Sequence, residues 1–402
     1  MASRRRLLII GNGMAASRLL DELVKRDVHR FAITVIGEET ATGYNRILLS
    51  PFLAREKSLN DVITHNADWY QQHQIQLHSG DAVITIDSHN RTVLTASGKV
   101  FEWDHLVIAT GARAARLNIP GSDLDQVMCL RTLDDARHMQ TIALQGGKAV
   151  VIGGGLLGLE AAYGLHRLGM HVSVVHNGQW LMNRQLDNEA GALLEASLQK
   201  RGMTLYTEAI SEAFIGDRQV CGLKLQNGTT IDCDLAVIGI GIAPEVSLAR
   251  HAGLTCEQAI VTDHQLRTSM ANVSALGECC QIDGELFGMV APIYQQARIL
   301  ACRLMAEESE GYHREALPTR LKVSGIDVFS AGDLSNLEDC RTLAWRDPQR
   351  GHYRRLWLRQ GRLVAAVMFG DVDDGGLYFD LIQEGRRIPD PAALLLGMAE
   401  AA

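Results

Sequence analysis

The sequence predicts an α/β protein of several domains, and three features carry that prediction. An apolar run, Leu7-Leu8-Ile9-Ile10, leads into Gly11-Asn12-Gly13-Met14-Ala15-Ala16, an amphipathic stretch to about Lys25 and a second apolar run at 32–36. The same order recurs at 149–152, Gly153-Gly154-Gly155-Leu156-Leu157-Gly158, a helical stretch to about Leu168 and an apolar run at 171–175. After about Glu315 the character changes, and two strand-like runs, 353–359 and 363–369, are joined across Gln360-Gly361, a hairpin signal. Each of the first two segments is the strand–glycine turn–helix–strand opening of a Rossmann-like dinucleotide-binding domain. One such match is a weak signal; two, each in the right context, make a strong one. The third feature marks a separate C-terminal α+β domain. The expected division is 1–117 and 244–315 for a first dinucleotide domain in two parts, 118–243 for the second, and 316–402 for the last.

Composition fits this reading. A chain of 402 residues suits two or three domains. Apolar residues make up 47% and charged residues 21%, the balance of a globular protein with a core. A net charge of −8 gives no global attraction to nucleic acid or to anionic membrane. No apolar stretch is long enough to cross a bilayer. Arg4-Arg5-Arg6 before the run at 7–10 resembles a signal peptide, but that run is far below the roughly seven to fifteen residues required and reads as a buried first strand. The cysteines are Cys129, Cys221, Cys233, Cys256, Cys279, Cys280, Cys302 and Cys340. None forms C-x-x-C, so no zinc or cluster spacing is present, and the thiols read as reduced and structural in a cytoplasmic protein. The adjacent pair Cys279-Cys280 reads as two core positions.

The turns carry the chemistry. A glycine-rich turn lets backbone approach a diphosphate, and the helix after it offers unpaired N–H groups at a positive dipole end. In the first motif Gly11 permits the tight turn and Gly13 the close approach, with Ala16 in place of a third glycine. An acid after the next strand binds ribose hydroxyls; Glu38 and Glu39 stand there, and Glu38 is preferred, the other reading being two solvated loop acids. The second motif has Gly153, Gly155 and Gly158, but its next strand ends Val174-Val175-His176 without an acid. An acid there selects NADH and repels the 2′-phosphate of NADPH, whereas His176 reads as a group that can bond either or as a bystander surface histidine, so both nucleotides stay open. Glu160, just inside the helix, reads as a nicotinamide carboxamide partner or as a first-turn acid favoured by the dipole. Three more apolar runs end in glycine, at Ala109-Thr110-Gly111, Gly239-Ile240-Gly241 and Gly277-Glu278, as backbone does where it meets a ligand at a sheet's carboxyl edge.

These residues resemble the flavin reductases of the glutathione-reductase structural class over nearly the whole chain. The resemblance rests on Gly11-Asn12-Gly13, Tyr44-Asn45-Arg46, Ala109-Thr110-Gly111, the second turn with Glu160, Gly239-Ile240-Gly241 and Gly277-Glu278. It implies two domains of glutathione-reductase type, FAD at the first turn and NAD(P)H at the second. For FAD it implies Arg46 nearby, Glu278 on the ribityl chain, the Val290-Ala291-Pro292 backbone at the flavin pyrimidine edge, and further contacts at Met14, Ala15 and Val83. Leu157 and Gly241 join the nicotinamide-nucleotide set. Within the class the chain is most similar to the flavin module of NADH-dependent nitrite reductase large subunits and to the flavin subunit that feeds assimilatory nitrate reductase. Gln185-Leu186-Asp187, Phe287-Gly288-Met289-Val290-Ala291-Pro292 and the run 321–328 extend the likeness.

The departures narrow the function. Disulfide-reducing members carry a cysteine pair after the first βαβ unit, and the oxidases and peroxidases keep one; residues 43–55 carry none, so a disulfide relay is not expected. Reductases for rubredoxin or oxygenase ferredoxins usually read Arg-Pro-Pro-Leu-Ser-Lys, against Arg46-Ile47-Leu48-Leu49-Ser50-Pro51 here. The chain also stops before the cluster and sirohaem domains of nitrite reductase, so nitrite reduction by this chain alone is not expected. The expected activity is oxidation of NADH, with NADPH not excluded, through FAD. Electrons would then pass to a partner, the molybdenum and iron–sulfur catalytic subunit of assimilatory nitrate reductase. No metal site and no acid–base triad is expected. The alternatives are a rubredoxin or ferredoxin reductase, and a non-enzymatic flavin- or nucleotide-binding sensor. Arg346, Arg350, Arg354, Arg355, Arg359 and Arg362 form a basic segment that reads as a partner-docking surface or as a solvated hairpin face, while Phe329, Trp345 and Trp357 read as core.

Overall fold

Leu7, Leu8, Ile9 and Ile10 have no polar face to turn to water, and a strand covered on both sides is where such a run is stable. In the structure, a computed structural model describing residues 4–323 and 325–397, they lie in the strand Arg5–Ile10, each no more than 4% exposed. Ser324, within the run 321–328, lies outside the described residues. The chain divides into two compact units: Met1–Ala115, Arg131–Ala136 and Gly241–Glu315 form one, and Arg116–Leu130, Arg137–Ile240 and Ala316–Ala402 the other.

The first unit is built on a five-stranded parallel sheet in the order Val273–Ala275, His105–Ile108, Arg5–Ile10, Phe31–Gly37, Gln76–Ser79. Strand order reverses about Arg5–Ile10, so the carboxyl ends of that strand and of His105–Ile108 open a crevice at the switch point. The helix Met14–Arg26 buries Ala16, Leu19, Leu20 and Leu23, a single stripe at helical spacing. That stripe packs against the helix Val290–Met305. A small antiparallel sheet, Val83–Asp87, Thr92–Thr95 and Val100–Glu102, completes the unit with Ile86 and Val93 in its core.

The second unit repeats the plan. Its parallel sheet runs Thr204–Tyr206, His171–Val175, Lys148–Ile152, Leu235–Ile238, Val127–Met128. The same unit holds the C-terminal antiparallel sheet, ordered Thr319–Val323, Ile326–Gly332, Arg362–Phe369, His352–Arg359, Arg341–Asp347. Helix Gly375–Glu384 packs on that sheet over Phe329, and Gly375 is needed there because a Cβ would lie 2.6 Å from the phenyl ring. The hairpin signal is realised: Gln360 and Gly361 both have positive φ, +52° and +75°, as a two-residue type I′ turn requires. Phe329 and Trp357 are buried, and Trp345 packs against the core that holds Phe329. No helix among the described residues is long and apolar enough to cross a membrane.

One buried ionisable group sets an acid limit on the first unit. His105 is 6% exposed, bonded through Nε2 to Ser274 Oγ at 3.0 Å, and Arg303 also donates to that oxygen. Burial, with Arg303 and Arg5 adding repulsion, pushes the imidazolium down to about 4. The unfolded chain regains a pKa of about 6.5, so it binds a proton that the folded chain refuses. Stability is therefore complete above about pH 6.5 and declines as pH falls towards 4, by at most about 3 kcal/mol. Denaturant titrations from pH 7 to 4 should show this decline, and His105→Gln should flatten it; equal slopes for both proteins would exclude His105 as its source.

Candidate functional site

The two glycine turns are built alike, and close backbone approach explains both. Gly11 has φ +105° and a Cβ on it would lie 2.2 Å from Ala109 O; Gly153 has φ +121° and a Cβ would lie 2.2 Å from Gly239 O. Only glycine satisfies both demands. Each turn is pinned to the next strand by its first N–H, Gly11 to Ile36 O and Gly153 to Val175 O, both at 2.8 Å. Each leads into a helix whose N-cap, Gly13 or Gly155, carries no side-chain cap, so the first-turn N–H groups are left to a ligand. Around Gly155 a Cβ would meet nothing within 4 Å, whereas on Gly158 it would lie 2.0 Å from Gly153 O. That is the division of labour expected of the second and third glycines. Met14 and Ala15 are half-buried at the first helix start, and Leu157 is exposed at the second.

A charged cluster surrounds the first turn. A Cβ on Gly13 would lie 4.0 Å from Arg46 Nε, so the guanidinium stands over the uncapped helix end. Arg46 is held there by Glu39 Oε1 at 2.5 Å and by Arg131 O at 2.6 Å. Tyr44 donates to Glu39 Oε2 at 2.6 Å and accepts the Leu133 N–H at 3.2 Å, and burial above all keeps its phenol protonated. Arg131 pairs with Glu278 and donates to Ala112 O at 3.1 Å. Glu278 Oε2 lies 3.7 Å from where a Gly111 Cβ would stand. Gly277 donates to the buried Oε1 of Gln296 at 2.8 Å, and its backbone leaves no room beside Ala15. Thr110 Oγ1 donates to Glu245 O at 3.0 Å. Thus Gly11, Gly13, Met14, Ala15, Arg46, Ala109, Thr110, Gly111, Gly277 and Glu278 gather at one sheet edge. Val290 and Ala291 begin the helix that carries Gln296, and its N-cap Met289 supplies no side-chain cap. Val83 follows a segment tied to the same edge, since Asp81 donates to Gly37 O at 3.0 Å.

The two acids after the second strand separate. Glu39 is spent on Arg46 and Tyr44, whereas Glu38 is exposed and meets Arg113 at 3.4 Å. Arg131 was not singled out from the sequence, because its partner Glu278 lies 147 residues away. Asn12 was also passed over: Tyr70 donates to its Oδ1 at 2.8 Å, and its Nδ2 is buried without a hydrogen-bond partner. An orphaned donor, an uncapped helix end and a poised guanidinium fit a dinucleotide diphosphate at this turn.

The second turn has its own register. Gly37 O accepts from Asp81 and Glu39 O from Gly80; His176 O accepts from Ala209 and Gly178 O from Glu208. Gly37 therefore corresponds to His176, and Glu38 corresponds to Asn177. His176 Nδ1 accepts the Gly154 N–H at 3.2 Å, and the ring's other edge lies against Gly178 and Asn183. Burial holds the imidazolium below the ordinary histidine value, so the ring is neutral at pH 7. It fills the space over Gly154, while Asn177 is exposed at the position equivalent to Glu38. Glu160 is the fifth residue of the helix Leu156–Arg167, half-buried and beyond its first turn, so the dipole reading does not describe it. Gly241, with φ +119°, starts the segment that returns to the first unit.

The cysteines are free thiols. Cys279 and Cys280 are fully buried, their sulfurs directed at backbone carbonyls and Gln296, and burial pushes both thiols up. Such groups are poor nucleophiles. No group of His, Cys, Asp or Glu among the described residues is arranged to hold a metal.

Comparison with known proteins agrees with this geometry. Residues 5–299 match the pyridine nucleotide-disulphide oxidoreductase family, and residues 318–386 match the rubredoxin NAD+ reductase C-terminal domain. The chain is 40% identical over 391 residues to a nitrite reductase (NAD(P)H) of Bacillus subtilis, covering 97% of this chain and 49% of that protein. It is 37% identical over 385 residues to the assimilatory nitrate reductase electron transfer subunit of the same organism, covering 96% and 50%. A crystal structure of a ferredoxin reductase from Rhodopseudomonas palustris superposes with a TM-score of 0.82 at 26% identity, covering 95% of this chain and all of that one. The chain spans about half the length of the curated relatives it matches. It belongs to the pyridine nucleotide-disulphide oxidoreductase family, whose members are FAD-containing, NAD(P)H-dependent oxidoreductases. The expected fold class, family and cofactors are those found.

Proposed function

We propose that this chain is a cytoplasmic FAD-dependent reductase that oxidises NAD(P)H and passes the electrons to a redox partner, the molybdenum and iron–sulfur catalytic subunit of assimilatory nitrate reductase. The observation that carries the reading is the pair of matched glycine turns, one with Arg46 over its uncapped helix end and one open at Gly155. FAD, when bound, accepts a hydride and releases electrons one at a time, which links a two-electron donor to a one-electron acceptor. The residues of the chain supply binding and placement. Gly11, Gly13 and the first-turn N–H groups at Met14 and Ala15 would take the FAD diphosphate, with Arg46 balancing its charge. Glu38 would accept ribose hydroxyls. Glu278, held by Arg131, would take a ribityl hydroxyl, and the uncapped helix end at Val290 and Ala291 would stabilise negative charge on the flavin's pyrimidine edge. Gly153, Gly155, Leu157 and Gly158 would take NAD(P)H, with Glu160 on the carboxamide.

The partner assignment is supported by the likeness to an electron transfer subunit of assimilatory nitrate reductase. A second reading, reduction of a small carrier such as rubredoxin or ferredoxin, is favoured by the C-terminal match and by the ferredoxin reductase structure. Gly153→Val with Gly155→Val should leave flavin content intact and slow anaerobic bleaching by NADH at least about 100-fold, with dithionite still effective. Unchanged bleaching would remove the second turn from the reaction. In the same assay, reoxidation of the wild-type protein by a nitrate reductase catalytic subunit, and not by rubredoxin, decides between the two acceptors.

Asn177 carries no charge to repel a 2′-phosphate, so both nucleotides should bind. Asn177→Asp should weaken NADPH binding about tenfold while NADH changes less than about threefold. Equal loss of both would show that Asn177 does not face the 2′ position.

A further inference from the structure

Two arginines of the basic segment, Arg354 and Arg355, are held by carboxylates of the chain itself, and where they go leads to a different role. Along the strand His352–Arg359 alternate residues face opposite ways. Arg354, 6% exposed, turns one way and is held by Asp371 at 2.7 Å and Asp374 at 2.6 Å. Tyr353 and Arg355 turn the other way and both donate to one carboxylate oxygen, Asp187 Oδ2, at 2.7 Å and 2.9 Å. Arg346 reaches Glu189 at 3.8 Å, two residues further on. Tyr353 is fully buried and the Asp187 side chain is 10% exposed, so these bonds are shielded from water.

Asp187 is more than a partner in a pair. Its other oxygen caps the helix Asn188–Lys200 by accepting the Ala190 N–H at 3.3 Å. The segment just before it returns to the second glycine turn. Trp180 donates to Leu186 O at 2.9 Å and lies so close to the helix that only glycine fits at Gly191. Leu181 donates to Glu195 Oε1 at 3.2 Å, and Met182 donates to Gly154 O at 2.9 Å. The side chain of Leu181 fills the space where a Gly154 Cβ would be. A continuous set of hydrogen bonds thus runs from the C-terminal sheet through Asp187 and residues 180–186 to the turn that would hold NAD(P)H.

We propose that Tyr353 and Arg355 are positioning residues for the nicotinamide nucleotide: by holding Asp187 they fix residues 176–186 against Gly154, and the C-terminal sheet is part of the apparatus that shapes the nucleotide turn. This rests on the reading that the second turn binds NAD(P)H. A loosened loop would release Gly154 O and Leu181, and the turn would pay an ordering cost on each binding event. Misplacement at a distance weakens binding without touching the ligand.

The test uses the FAD-loaded full chain, with NAD+ as the calorimetric probe and amide hydrogen exchange as the structural one. Tyr353→Phe with Arg355→Met should raise the NAD+ dissociation constant about tenfold and speed exchange at the Leu181 and Met182 amides by a similar factor. Flavin content and exchange at residues 11–16 should stay as in the wild type, and Arg355→Lys should recover most of the affinity. Tyr353→Phe alone, which removes a single oxygen, serves if the double variant does not fold. Unchanged NAD+ affinity in a variant whose wild-type parent binds NAD+ would overturn the proposal, as would unchanged exchange at Leu181 and Met182. A wild-type protein that binds no NAD+ would instead overturn the nucleotide reading on which it stands.

Discussion

Everything at the two sites depends on backbone passing within a carbonyl's reach of a glycine at positive φ. Ala109 O stands where a Gly11 side chain would begin, and Gly239 O does the same for Gly153. This close passage brings the switch-point strands together and aims the helix that follows outward with its N–H groups unpaired. A side chain at either glycine would push the strands apart and re-aim the helix. The anion-binding geometry is therefore a consequence of sheet packing, and the same packing serves both turns.

What differs between the turns is what is placed over them. At the first, charge is organised tightly: Glu39 and Tyr44 hold Arg46, and Glu278 pairs with Arg131. Half-buried ion pairs of this kind contribute little net stability, because desolvation offsets attraction, but they fix a guanidinium in one orientation. That suits a site for a tightly held cofactor. At the second, the space over Gly154 is filled by a neutral imidazole and by Leu181, and the equivalent of Glu38 is an amide. A site with fewer fixed charges suits a nucleotide that must leave each cycle. Residues 176–186 lie against this second turn and are attached to the C-terminal sheet through Asp187.

Much of this was legible in the sequence, because the governing signals are local. Buried strands read as apolar runs, positive-φ turns as glycines, and the hairpin as Gln360-Gly361; all follow from steric rules within a few residues. The rest depends on pairings far apart in the chain. Glu278 does not announce Arg131, nor Asp187 its partners Tyr353 and Arg355, 166 and 168 residues on. Arg354 and Arg355 look equivalent in sequence, yet the pleat sends them to opposite faces and to different carboxylates. The register of the second turn was also out of reach, because only the backbone bonds of the neighbouring strand reveal that Asn177, one residue beyond His176, is the counterpart of Glu38.

A crystal structure of the protein grown with FAD and NAD+ tests the central claim most directly. The account predicts the FAD diphosphate against the N–H groups at Gly13, Met14 and Ala15 with Arg46 beside it, and the NAD+ diphosphate against those at Gly155, Leu156 and Leu157. FAD on the second turn, or either diphosphate bound away from its uncapped helix end, would contradict it.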